Sequence, residues 1–175
     1  MKIKKTKDIA IIGVYTALLI GGQVVLSAIS GVEVVTILLL GFAYYFGVKR
    51  GALVASAFSI LRALVFGFFP NVLILYLVYY NLFVLVIGAL GKIFNRDTSP
   101  LKHVIVVIVA LVLTLAFTAL DNLITPLYYG FNKEAWLGYL GTSLYALVPQ
   151  LICTLITVSL LFRPLVKMLS RVAKD

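Results

Sequence analysis

Nearly the whole chain divides into six apolar segments, each about long enough to cross a bilayer, and its few charges fall almost entirely between them. The segments read as 8–28, 32–48, 51–68, 72–91, 103–125 and 141–162. About 20 residues at 1.5 Å rise span the roughly 30 Å hydrocarbon layer. Hydrophobic residues make up 63% of the 175, and mean hydropathy is +1.14. A soluble domain of this size has too little interior to hide so much apolar surface. The runs are apolar on all sides and lack the alternation of membrane strands. The expected fold is an all-α integral membrane protein: a single domain of six transmembrane helices, with no soluble domain at either end. The first segment is too long for a cleavable signal peptide and has no convincing cleavage site after it.

The net charge of +9 could suggest nucleic acid, but its placement argues against that. Thirteen of the 15 basic residues precede the first span, follow the last, or lie between spans two and three or four and five. In a six-span arrangement all of these are on one side. Lys133 stands on the other, and Arg62 lies within span three. The positive-inside rule then places both termini in the cytoplasm. Losing one span would scramble this asymmetry.

The linker 92–102, with Asn95, Asp97, Ser99 and Pro100, reads as a hinge between two halves. The stretch 126–140 reads as the longest outer loop. Its Tyr128, Tyr129, Trp136 and Tyr139 form either a lid over an outward-facing site or an aromatic interface belt. Cys153 is the only cysteine, which excludes an internal disulfide, and it reads as packing.

Gly13, Ala17 and Gly21 recur every four residues in span one, with Ala10 beside them. Such a smooth stripe lets another helix approach closely. It serves either packing within this chain or docking of a partner. A second small patch, Gly51, Ala52, Ala55, Ser56 and Ser59, reads as close packing within the bundle.

Polar groups at membrane depth are costly and usually face a site or a partner. Arg62 lies roughly 18 Å above the cytoplasmic end of its span. Gln23, Glu33, Asn71, Tyr76, Tyr79, Tyr80, Asn81, Asp121, Asn122, Tyr145 and Gln150 fall in the outer or central part of theirs, and Tyr128 in the outer loop. This convergence predicts a pocket open to the outside, suited to a flat or heteroaromatic solute. A structural pairing of Arg62 with Asp121 or Glu33 is the alternative.

Catalysis has little to stand on. The chain has no Gly-Lys-Ser/Thr phosphate loop, no His-Glu-x-x-His, and no nucleophilic set at one depth. His103 is the only histidine and reads as solvated or capping, so no metal site and no cofactor are expected. Six short spans are also few for a self-sufficient secondary transporter. A stand-alone permease or a ligand-free scaffold remains the alternative.

In size, six spans, cytoplasmic termini, outer pocket and the Gly13, Ala17, Gly21 stripe, the chain resembles the substrate-binding S components of energy-coupling factor (ECF) transporters. The segments 31–39 (GVEVVTILL) and 46–54 (FGVKRGALV) are similar to that family's second span and entry to the third. The family carries an alanine-rich stripe where this chain has Gly13 and Ala17. The resemblance implies a prokaryotic cell-membrane protein that captures a vitamin or related micronutrient outside. It implies delivery by toppling in the membrane lipid, driven by a transmembrane coupling subunit and two cytosolic ATPases. Ala10, Gly13, Ala17 and Gly21 would be the docking face. The single histidine disfavours a metal cargo, and the aromatic content leans toward a bulky vitamin such as a corrinoid.

Overall fold

The computed structural model describes residues 5–27 and 34–173. They form six helices: α1 (Lys5–Leu26), α2 (Val35–Phe46), α3 (Val48–Phe66), α4 (Pro70–Ile93), α5 (Pro100–Tyr129) and α6 (Lys133–Val172). No strand occurs among the described residues. Four helices (α1, α4, α5 and α6) are long and apolar enough to cross a membrane. Large apolar side chains such as Val14, Val25, Leu64 and Leu101 stand more than 70% exposed on the bundle's outer surface. That suits lipid as the surrounding solvent.

The breaks between helices follow local chemistry. Gly47 has φ of 83° and separates α2 from α3 without a loop. Gly67, at φ 99°, ends α3. Pro70 and Pro100 open α4 and α5, where a missing amide costs nothing. Gly130 closes α5 in the left-handed conformation, and the Asn132 side chain caps α6 by accepting from the Ala135 amide at 2.8 Å.

Two expectations change here. The segment 32–48 is represented by a 12-residue α2, about 18 Å long and so shorter than a bilayer's apolar layer. It is buried on nearly all sides and sits at the centre of the bundle, packed on α3, α4 and α6. The stretch 126–140 is not a loop. Pro126 lies inside α5, the connection is only residues 130–132, and α6 runs 40 residues, about 60 Å. Pro126 lacks the amide that would bond the Asn122 carbonyl. The Trp136 indole Nε1 donates to that carbonyl instead, at 3.0 Å, so helix continues through the proline.

The core is densest where α4 meets the α2–α3 elbow. A Cβ on Gly51 would come within 2.6 Å of Val84, and one on Gly88 within 2.8 Å of the Val48 backbone. One on Gly91 would strike the Tyr44 carbonyl. The second small patch therefore packs inside the bundle as expected, with Gly51, Ala55 and Ser59 buried.

The described basic residues other than Arg62 and Lys133 gather at one end, where α1 and α3 begin and α2, α4 and α6 finish. Asp8 forms an ion pair with Arg50 there, at 2.5 Å and with both side chains under 10% exposed. The reading of the sequence passed over this pair. The expected hinge is pinned. Tyr44 donates to the Asp97 carbonyl, and Asp97 pairs with Lys102 at 2.8 Å. His103 is half-buried and not solvated. Its Nε2 is 3.2 Å from the Val158 carbonyl and its ring lies on Phe162, tying α5 to α6.

Candidate functional site

At the end opposite the basic cluster, polar side chains from α4, α5 and α6 form a continuous chain of hydrogen bonds. Tyr129 donates to Asn71 at 3.4 Å, and Asn71 Nδ2 donates to the Thr125 hydroxyl at 3.2 Å. The Thr125 hydroxyl donates to Asp121 Oδ1 at 2.8 Å, and Tyr139 donates to Asp121 Oδ2 at 2.6 Å. Helical spacing explains part of this: residues 121 and 125 are one turn apart on α5. Both carboxylate oxygens thus meet hydroxyl donors, and no cation pairs with Asp121 among the described residues.

Beside this chain, Asn122 Nδ2 donates to the Thr118 carbonyl at 2.8 Å and to Ser143 at 2.7 Å. A cleft of about 250 Å³ opens between α5 and α6. Its walls include Phe117, Thr118, Asp121, Tyr139, Ser143 and Gln150. They offer a carboxylate, hydroxyls, an amide and one aromatic face. Such a set can orient a small solute through its donors while Phe117 covers an apolar part.

Arg62 stands apart from Asp121. Its guanidinium carbon is 4.3 Å from the Tyr76 ring centroid and 5.4 Å from that of Phe66. Arg62 Nε is buried without a hydrogen-bond partner and forms no ion pair among the described residues. The alternative pairing with Asp121 does not occur; Thr125 and Tyr139 donate to that carboxylate. Stacking over Tyr76 holds the cation in place of an anion. Tyr76 in turn touches Phe117 edge-on at 6.0 Å, so one aromatic wall joins the Arg62 side to the cleft. Gln23 Oε1 is likewise buried and has no hydrogen-bond partner among the described residues. Glu33 lies outside the described residues.

Other expected site residues are distributed differently. Tyr79 and Tyr80 are buried among Phe58, Phe83 and Phe117 and build the core behind the site. Asn81 lies deeper and bonds Ser56 at 3.2 Å, linking α3 to α4. Tyr145 is 85% exposed on α6 and does not line the cleft, which Tyr139, Ser143 and Gln150 of the same helix do. Tyr128 is also half-exposed and meets Tyr129 edge-on. Ser143, Thr118 and Phe117 were missed. Small hydroxyls in apolar helices are common, and nothing in the one-dimensional pattern separates those lining a cleft from those bonding their own helix.

Ala10, Gly13, Ala17 and Gly21 all lie exposed on α1. A Cβ added to Gly13 or Gly21 would meet nothing within 4 Å. Among the described residues, nothing packs closely on Gly13 or Gly21 of the stripe. Cys153 is half-buried in α6.

No protein-family model matches this chain, and no curated protein or solved structure matches it significantly.

Proposed function

We propose that the chain is the solute-binding S component of an ECF-type importer, crossing a prokaryotic cell membrane six times with the basic end in the cytoplasm. In that setting the site at the opposite end opens outward. The observation that carries the reading is that Arg62 and Asp121, both at membrane depth, do not neutralise each other. An intramembrane cation and carboxylate left apart are costly, and that cost is offset when a ligand meets them. The aromatic wall of Tyr76 and Phe117 between them suits a vitamin-like organic solute with a planar part, and a bulky vitamin remains the lean. The exposed stripe on α1 supports the second half of the proposal, a coupling subunit that docks there. With no phosphate-binding loop, ATP would be hydrolysed by two cytosolic partner subunits. The chain itself is proposed to be non-catalytic and to need no cofactor.

The test is mass spectrometry of what accompanies the tagged protein from its own membranes in mild detergent. A coupling subunit, two ATPases and a small organic molecule are expected. Arg62→Ala and Asp121→Ala should each weaken binding of that molecule by about tenfold or more, as loss of a charge-assisted contact does. Unchanged affinity in both variants would remove them from the site. Transport by the protein alone in liposomes would favour a stand-alone permease, and a clean preparation with neither ligand nor partner a scaffold.

A further inference from the structure

Two cavities open at the basic end and share one wall. The first, about 710 Å³, lies between the α2–α3 elbow and the end of α4, and Lys49, Lys92 and Arg96 line it. The second, about 600 Å³, lies against the last turns of α6, and Arg96, Arg163 and Lys167 line it. Tyr45 and Arg96 belong to both, with the Arg96 guanidinium carbon 5.1 Å from the Tyr45 centroid. Among the described residues, no acidic side chain lines either cavity. Arg50 also borders the first, but Asp8 neutralises it. Lys49, Lys92, Arg96, Arg163 and Lys167 are all exposed and make no ion pair among the described residues.

Five cations without an ion pair among the described residues thus surround two joined concavities. We infer that this end holds the phosphate headgroup of an anionic membrane lipid, with Arg96 as the shared contact. Lipid is favoured over a soluble phosphate or an acidic protein because the cations adjoin exposed apolar side chains. Ile93, 69% exposed, follows Lys92, and Met168, 50% exposed, follows Lys167. A headgroup in the cavities would leave its acyl chains against that apolar flank. Basic pockets between helix ends are a recurrent form of headgroup site. Arg96 has a left-handed backbone (φ 60°) and stacks on Tyr45, which fixes the charge where the cavities meet. The inference requires only that this end lies at a bilayer surface; it does not depend on what solute, if any, the opposite end binds.

Native mass spectrometry of the intact chain in detergent tests it, with phosphatidylglycerol, cardiolipin and phosphatidylcholine as probes. Retention of the anionic lipids over phosphatidylcholine is expected. Each cation removed should lower retention by about fivefold, so Lys92→Gln with Arg96→Gln should nearly abolish it. Arg163→Gln with Lys167→Gln, on the other cavity, gives an independent second variant, and circular dichroism checks that both stay helical. Equal retention of phosphatidylcholine, or undiminished phosphatidylglycerol in both variants, would overturn the inference. So would displacement of the lipid by millimolar inorganic phosphate, which would assign the cavities to a soluble anion. Capture of a polyglutamate peptide with no anionic lipid retained would assign them to an acidic protein face.

Discussion

Pro126 removes one amide from α5, and the Trp136 indole supplies the missing donor from α6. The Asn122 carbonyl is therefore bonded across the helix pair, and the Asn122 side chain sits correctly for Ser143. Trp136→Phe keeps the ring but strands that carbonyl, which should cost about 1–3 kcal/mol in thermal or denaturant unfolding. Adding Pro126→Ala restores an in-helix amide and should recover most of the loss. No recovery would mean that the tryptophan acts through packing alone. Asp97 offers a test by pH. Its hydrogen bond from Lys102 is the largest of the influences that hold its carboxyl below the usual carboxylate range. A carboxyl whose native pKa is depressed stabilises the fold above its unfolded pKa and loses that contribution as pH falls through the native one. Asp97→Asn should therefore lower the melting temperature slightly at neutral pH. The difference from wild type should vanish in acid below the ordinary carboxylate range. A difference that persists there would place the effect in the turn backbone.

Among the elements, glycines separate faces that are closed from faces that are open. Gly91→Ala forces a methyl onto the Tyr44 carbonyl and must push α4 off α2. A destabilisation of about 1–3 kcal/mol or more is expected from such overpacking. Gly13→Ala meets open space on α1 and should be neutral or slightly stabilising through helix propensity. Unfolding of the two variants in detergent, side by side, checks both. The sequence alone already distinguished most helices, because a long apolar run closed by Gly or Pro has few other ways to satisfy its backbone in lipid. It did not reveal that 126–129 and 133–140 are helical. Tyr, Trp and Gly there resembled a loop, and only the contact between Trp136 and Asn122 shows how a helix tolerates Pro126. That Asn71, Asp121 and Asn122 fall at the end of the bundle opposite the basic cluster was legible, since residue count along a helix measures height. Azimuth was not, because spans apolar on every side carry no amphipathic signal. That is why Tyr145 was expected in the pocket and does not line the cleft, and why Asp8 went unpaired with Arg50.

For the whole molecule, the two ends and the side of the bundle offer separable chemistry: a carboxylate and a guanidinium without an ion pair among the described residues at one end, cations likewise without one at the other, and a smooth stripe on α1 between. If the stripe docks a coupling subunit, bulk added there should act on transport and not on capture. Gly13→Leu and Ala17→Leu each place a branched side chain on an exposed face of α1, and at Gly13 an added Cβ meets nothing within 4 Å among the described residues, so the bundle and the cleft between α5 and α6 should be undisturbed. Solute affinity of the purified variants should match wild type, while ATP-dependent uptake in cells should fall by about tenfold or more, since a leucine keeps two helices from close approach. Co-purification of the partner should fall in parallel. Normal uptake in both variants would end the docking assignment and leave the stripe as a lipid-facing surface. Loss of solute affinity together with uptake would show instead that α1 shapes the site itself, through Gln23 two residues beyond the stripe's last glycine.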